Sequence, residues 1–87
     1  SKFFVGVDGV DPEFGITTST IEEAQLSRKM MGASSKTVVL ADSSKLGQRG
    51  FGHIAPLEEV DIIITDDGIT KEMREVIESL GIELIIA

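Results

Sequence analysis

Four short runs of β-branched, aliphatic and aromatic residues place the strongest constraint on how this chain folds. They occupy residues 3–7, 37–41, 61–65 and 82–86. Each run is nearly continuous in apolar residues instead of alternating with polar ones, which is typical of strands buried on both faces. The sequence therefore predicts three or four strands of a parallel sheet.

A helix is predicted after the first run and another before the last. In residues 20–33, Thr20 and Glu23 have the spacing of a capping box, and Ser19 with Glu22 offers an alternative start one residue earlier. The second helix carries its predicted buried stripe at i, i+3, i+4 and i+7, on Met73, Val76, Ile77 and Leu80, followed by Gly81 as a left-handed stop.

The order of these elements predicts an α/β fold built from βαβ units with right-handed crossovers. Residues 42–60 contain three glycines and a proline, so we predict a loop there with one short extended piece at 51–54. At 87 residues the chain is one domain at most, and its abrupt apolar ends lead us to expect part of a longer protein.

Composition narrows the classes of function. The net charge of −7 disfavours nucleic-acid binding by this segment, because phosphate backbones are bound by clustered Lys and Arg. There is no cysteine and no apolar run near the roughly 20 residues that cross a bilayer. We expect a soluble, cytoplasmic protein without membrane contact.

Three polar loops follow the first three predicted strands: "GVDGVDPEFGITTST", "ADSSKLGQRG" and "TDDGIT". Ligands of open parallel sheets bind beyond the carboxyl ends of the strands, so these loops are predicted to share one edge. Asp8 and Asp11 are acceptors for sugar hydroxyls, and Thr17 and Thr18 precede a helix N-terminus suited to phosphate or a polyol. In the structural alternative, the aspartates form turns and a hydroxyl only caps the helix.

The second loop places Lys45 after Asp42 and two serines, where a compact positive charge suits an anionic ligand. The alternative is a solvated lysine in a turn. The sequence Asp66-Asp67-Gly68 has standard turn composition before a helix and is assigned a structural role. His53 is the only histidine and has no companion ligands, so we predict no metal site and no cofactor.

Read together, the segments "GVDGVDPEFGITT", "EEAQLSRKMM", "VVLADSSKLGQRGF" and "VDIIITDDGI" resemble the C-terminal part of a DeoR-type bacterial transcriptional regulator, over residues 4–87. The resemblance implies a winged helix-turn-helix domain upstream that binds operator DNA, and a C-terminal sensor of a phosphorylated sugar. It also implies a fold like that of ribose-5-phosphate isomerase, glucosamine-6-phosphate deaminase and the CoA-transferases. Such a regulator is expected to be a repressor of carbohydrate metabolism and a homo-oligomer.

Carried over position by position, the resemblance implies an effector site rather than a catalytic one, with these residues: Asp8, Asp11, Thr17, Thr18, Glu23 and Lys45. The isomerases place a lysine just after the acidic motif, where this chain reads Gly15-Ile16-Thr17-Thr18. Proton transfer needs both an acid and a base around one carbonyl, so its absence favours binding without turnover. An isomerase or deaminase with Asp8 or Asp11 as base, and a bare interaction module, remain the alternatives.

Overall fold

The computed structural model describes residues 1–87 and contains two β-sheets and two α-helices. A parallel sheet has the strand order β1-β4-β6-β7, and a small antiparallel sheet has the order β2-β3-β5. The strands are β1 (Lys2–Gly6), β2 (Gly9–Asp11), β3 (Gly15–Thr18), β4 (Lys36–Leu40), β5 (Gly52–Ala55), β6 (Ile62–Thr65) and β7 (Glu83–Ile86), and the helices are α1 (Ile21–Gly32) and α2 (Lys71–Ser79). The predicted α/β fold is confirmed, and of the three or four parallel strands predicted the structure has four.

Both predicted helices form, and their caps follow from the sequence. At α1 the structure selects the later of the two predicted starts: the Thr20 hydroxyl accepts the backbone N–H of Glu23 at 3.1 Å. Gly81 follows α2 with a φ of +80°, the left-handed conformation predicted for it. Of the predicted stripe, Ile77 is buried, but Val76 is 40% exposed and does not belong to the core. Neither helix is long and apolar enough to span a membrane.

The loop predicted between the first strand and α1 is instead a β-hairpin, formed by β2 and β3. The turn is fixed by Asp11, whose carboxylate accepts the N–H groups of Glu13 and Phe14, and by Gly15 at a φ of +102°. These strands have three and four residues, too few for a recognisable alternating pattern. The predicted extended piece at 51–54 forms β5, one residue later, and pairs with β3.

The two faces of the parallel sheet have different surroundings. On one face, Val5, Val39 and Ile63 lie side by side in register and join the main core together with Ala24 of α1 and Ile77 of α2. The opposite face has no helix of this chain packed on it, and large apolar side chains are exposed there. The prediction that the strands are buried on both faces is therefore wrong for this second face.

Candidate functional site

The three polar loops leave the parallel sheet at one edge, as predicted. The carboxyl ends of the strands are in register, with Gly6 opposite Leu40 and Leu40 opposite Ile64. The ladder continues past the strands, because the N–H of Ala41 donates to the Ile64 carbonyl at 3.1 Å. The carboxyl ends of β1, β4 and β6 thus bring the loops to neighbouring positions.

Asp8 lies on the surface at this edge, next to hydroxyl groups that precede α1. Its carboxylate accepts the Ser19 hydroxyl at 2.6 Å and, at 3.5 Å, the hydroxyl of Thr18. The Thr18 side chain is buried, whereas Asp8 and Ser19 are exposed. The structure therefore brings the predicted residues Asp8 and Thr18 together and leaves the carboxylate open to solvent.

Thr17 is fully buried and connects the hairpin to the second loop. Its hydroxyl accepts the backbone N–H of Gly50 at 2.7 Å. Little space remains around this bond, because a Cβ on Gly9 would lie 2.5 Å from the Thr17 hydroxyl oxygen. The position of Thr17 gives it a structural contact to the loop rather than access to a ligand.

Glu23 is exposed in the first turn of α1, where its backbone and its side chain both contact the capping residue Thr20. Its carboxylate accepts the Thr20 hydroxyl at 3.1 Å, and its own N–H donates to that same hydroxyl. This contact fixes the start of α1 beside the Asp8 loop. The capping alternative considered from the sequence accounts for the contacts seen at this residue.

Asp11 is the last residue of β2, at the hairpin turn; it follows Asp8 by three residues and so lies roughly 10 Å from it along the extended chain. Arg49 donates to both of its oxygens, from Nε at 3.0 Å and Nη2 at 3.3 Å. This hydrogen bond, together with the N–H groups of the turn, holds the pKa of Asp11 below its usual value despite burial. The Arg49 guanidinium also lies 5.3 Å from the centre of the Phe14 ring, which contacts His53 edge-on. Asp11 and His53 thus belong to a packed cluster at the far end of the hairpin.

Lys45 ends a turn of 3₁₀-helix, Ser43–Lys45, directly after β4. Asp42 caps this turn by accepting the Ser44 N–H at 3.0 Å and the Ser44 hydroxyl, and these hydrogen bonds lower the pKa of Asp42. The Lys45 side chain is half-buried and forms no ion pair, because the only salt bridge in the structure joins Asp11 and Arg49. A fixed turn therefore presents the Lys45 ammonium group, whose charge contributes to the lowered pKa of Asp42.

Asp66 fixes the same turn from the neighbouring strand, a role that the sequence did not reveal. Its carboxylate accepts the Ser43 N–H at 2.8 Å and the Gly68 N–H at 2.8 Å. Hydrogen bonds from Ser43 are the main reason that the pKa of Asp66 is lowered. The loops approach so closely that a Cβ on Gly68 would lie 2.5 Å from the Ser43 hydroxyl oxygen. The local turn composition was predicted, but the contact between the loops depends on strand order.

Thr65, the last residue of β6, has a buried hydroxyl with no hydrogen-bond partner. Buried hydroxyl groups are normally paired, so this group is an exception in the chain. No sequence pattern distinguishes it from the paired threonines. It lies one residue before Asp66, at the carboxyl end of the sheet.

The largest cavity, about 490 Å³, lies at the opposite edge of the sheet, near the C-terminus of α1. It is mostly polar, and its lining includes Arg28, Met31, Ser34, Ser35, Glu59 and Asp61. None of the predicted effector residues lines it. Arg28 donates to the backbone carbonyls of His53 and Ile54, at 2.6 and 2.9 Å, so its charge is engaged in joining α1 to β5.

Comparison with known proteins agrees with this fold and identifies the family. The profile described as "DeoR C terminal sensor domain" matches residues 1–67. The HTH-type transcriptional regulator GlpR of Haloferax volcanii is 42% identical over 82 residues, which are 94% of this chain and 32% of that protein. A putative aga operon transcriptional repressor of Escherichia coli O157:H7 is 35% identical over 95% of this chain and 31% of its own length. The HTH-type transcriptional repressor GlcR of Bacillus subtilis is 35% identical over 98% of this chain and 33% of its own length.

The chain belongs to the DeoR C-terminal sensor domain family. The resemblance stated from the sequence is confirmed, and the chain spans about a third of the length of the curated relatives it matches. The family model describes a sensor domain, and those relatives are named transcriptional regulators and repressors. The isomerase and deaminase alternative finds no support among them.

Proposed function

We propose that this chain is the effector-sensing part of a DeoR-type transcriptional regulator, and that it binds a phosphorylated sugar at the carboxyl-end edge of the parallel sheet. The observation that carries the proposal is Lys45, a half-buried cation without an ion pair on a turn fixed at that edge. With a net charge of −7, the chain as a whole repels anions, so an anionic ligand needs a local positive charge.

The backbone around Lys45 is held on both sides. Asp66 binds the Ser43 N–H before it, and the Gly47 N–H after it donates to the Val10 carbonyl at 2.7 Å. A ligand-binding side chain is most effective when its supporting backbone is fixed before the ligand arrives. These contacts support Lys45 as a binding group more than as a solvated lysine in a turn.

The effector residues divide by what they contact. We assign direct contacts to Lys45, which attracts the phosphate, and to Asp8, which accepts sugar hydroxyls. Thr18 is buried, so it acts indirectly, through the hydrogen bond that its hydroxyl donates to Asp8. Thr17 and Glu23 act indirectly, since they hold the second loop and the start of α1 in place. Asp11 supports the hairpin through Arg49, so its contribution to binding would also be indirect.

In the complete protein, an N-terminal winged helix-turn-helix domain would bind operator DNA, and the effector would change that affinity by binding one conformation better than the other. The relatives named as transcriptional repressors support a repressor, and the family resemblance points to sugar metabolism. We infer that such a regulator acts in the cytoplasm as a homo-oligomer. This acidic chain would not itself contact the DNA.

Calorimetric titration of the complete regulator tests the proposal. Sugar phosphates and the corresponding unphosphorylated sugars are titrated into the natural protein, Lys45→Ala and a control, Lys71→Ala, which removes an exposed lysine from α2. A charge-assisted hydrogen bond contributes about 1.5–3 kcal/mol, so Lys45→Ala should weaken binding of the phosphorylated ligand by roughly 10- to 150-fold. If Lys45→Ala binds the phosphorylated sugar as tightly as Lys71→Ala does, the proposed site is refuted. It is also refuted if the natural protein binds phosphorylated and unphosphorylated sugars equally well.

A further inference from the structure

We propose that α1 pairs with the α1 helix of a second copy of this chain, antiparallel and around a twofold axis, in the complete regulator. We call the paired surface the outer face of α1 and define it by four residues: Glu22, Leu26, Lys29 and Met30. The inference extends the proposed function by assigning an interface to the homo-oligomer. It does not depend on Lys45 or on the effector.

The helix α1 carries its longest aliphatic side chains on the side away from the core. Leu26 is 64% exposed and Met30 is 46% exposed, and they lie one turn apart on the same side of the helix. The side that packs on the sheets contains the small residue Ala24 and also Arg28, which donates to backbone carbonyls of β5. A surface helix normally has its polar side outward. The contiguous apolar pair on the outer face therefore points to a contact beyond this chain.

The helix α2 shows the normal arrangement in the same layer of the fold. Its buried residue is Ile77, and Glu75, about 160° around the helix from it, is exposed. Leu26 has the same angular relation to the buried Ala24 of α1. Both helices pack on one face of the parallel sheet, with Ala24 and Ile77 in one core. A charged residue thus suits this outward position, and a leucine there has no explanation within the chain.

The charges of the outer face are placed so that two copies complement each other. Glu22 lies in the first turn of α1 and Lys29 in the last turn, and both are about 40–60° to the same side of Leu26 around the helix. Along the axis, Glu22 is about 6 Å before Leu26 and Lys29 about 4.5 Å after it. When two copies run antiparallel with Leu26 at the twofold axis, Glu22 of each copy lies opposite Lys29 of the other. Two ion pairs then flank the contact between the two leucines.

This charge pattern favours a second copy over other occupants and selects the antiparallel orientation. The chain has a net charge of −7, so two copies repel each other unless the surfaces that meet are locally balanced in charge. The outer face has one acidic and one basic residue, which gives the self-complementarity that a twofold interface requires. A parallel pair would instead place like charges opposite each other and the positive ends of both helix dipoles side by side.

The α1 pair forms the centre of the interface rather than all of it. The helix has 12 residues and is about 18 Å long, and packed helices have their axes about 8–10 Å apart. A stable interface buries about 800 Å² on each partner, which is more than three helical turns supply. The remaining area is assigned to segments outside this chain, because the matched residues make up about a third of the curated relatives.

Disulfide trapping in the complete regulator tests this inference. The chain has no cysteine, so Leu26→Cys on α1 and the matched control Glu75→Cys on α2 introduce one thiol each, after any cysteine elsewhere is replaced by serine. At the twofold axis, the two Cα atoms of position 26 would be roughly 5 Å apart, within the range of a disulfide. Leu26 is 64% exposed in this chain, which limits the effect of its replacement on folding.

On oxidation without effector, Leu26→Cys should form disulfide-linked dimers at least about tenfold faster than Glu75→Cys. Thiols held together in one dimer react at an effective concentration near millimolar, whereas thiols on separate molecules react at the micromolar concentration of the protein. Equal rates at the two positions, whether both fast or both slow, would overturn the inference.

An exchange of charges tests the ion pairs separately. Glu22→Lys, Lys29→Glu and the double variant are compared by sedimentation over a dilution series. Each single variant places like charges opposite each other twice, so it should weaken self-association about tenfold, and the double variant should return to within about threefold of the natural protein. Both changes oppose the helix dipole, so a purely structural effect would be largest in the double variant. Weakening that is greatest in the double variant would overturn the inference.

Discussion

Two buried threonines give a matched test of how hydrogen bonding stabilises this fold. Thr17 and Thr65 both lie on strands and are almost completely buried, but only the Thr17 hydroxyl has a partner, the Gly50 N–H at 2.7 Å. Replacing Thr17 by Val keeps the side-chain shape and leaves a half-buried N–H unpaired, which costs about 1–3 kcal/mol. Replacing Thr65 by Val removes a buried unpaired hydroxyl, so the free energy of unfolding should rise by about 1 kcal/mol.

The two variants should therefore shift stability in opposite directions. For a domain of this size, 1 kcal/mol corresponds to a change in Tm of roughly 4–8 °C, so the two midpoints are expected to differ by about 10 °C or more. The chain has no Trp or Tyr, so unfolding is followed by far-ultraviolet circular dichroism in urea and on heating. The substitution is the same at both sites, so differences in β-propensity and in the unfolded state largely cancel. If Thr65→Val destabilises as much as Thr17→Val, the reasoning is refuted.

Three further changes test the packing, the ion pair and the loop contact. Gly52→Ala should lower stability by about 2 kcal/mol or more, because its Cβ would overlap the Thr20 carbonyl oxygen, whereas Gly32→Ala, with no atom within 4 Å, should be neutral or stabilising in thermal unfolding. The pKa of Asp11 is lowered in the folded protein, so its ion pair contributes fully to stability above the unfolded-state pKa of about 3.9, and this contribution is lost as the pH falls through the folded-state pKa. The difference in Tm between the natural protein and Asp11→Asn should therefore narrow below about pH 4. A difference in Tm that does not change with pH would contradict this. Asp66→Asn leaves one acceptor oxygen for the two N–H groups that Asp66 binds, so effector affinity measured by calorimetry should fall about 3- to 10-fold. Operator affinity without effector should be unchanged. A matching loss of operator affinity would show that Asp66 has a merely structural role.

Elements with a strong local signal were predictable from the sequence. The parallel strands are continuous apolar runs, and α1 begins at Thr20 and Glu23, which are only three positions apart in sequence. Gly81 ends α2 because the left-handed conformation there costs glycine least. In each case the residues that determine the structure lie within a few positions of one another.

The hairpin and the contacts of the candidate site were not predictable in the same way. β2 has only three residues, and its identity depends on pairing with β3 and on contact with the second loop. Asp66 looked like an ordinary turn residue because its partner Ser43 is 23 positions away. Asp11 was predicted as an effector residue, but the contact it makes is to Arg49, 38 positions away. Such contacts depend on the order of strands, which no local pattern contains.

Operator binding by the complete regulator gives the most direct test of the central claim, that Lys45 receives an anionic effector and thereby controls DNA affinity. Operator affinity is measured with and without a bound sugar phosphate for the natural protein, Lys45→Ala and Lys71→Ala. The account predicts that all three proteins have equal operator affinity without effector. Lys45→Ala should need at least a tenfold higher effector concentration for the same change in operator affinity, whereas Lys71→Ala should respond like the natural protein. The same effector response in Lys45→Ala and in the natural protein would contradict the account.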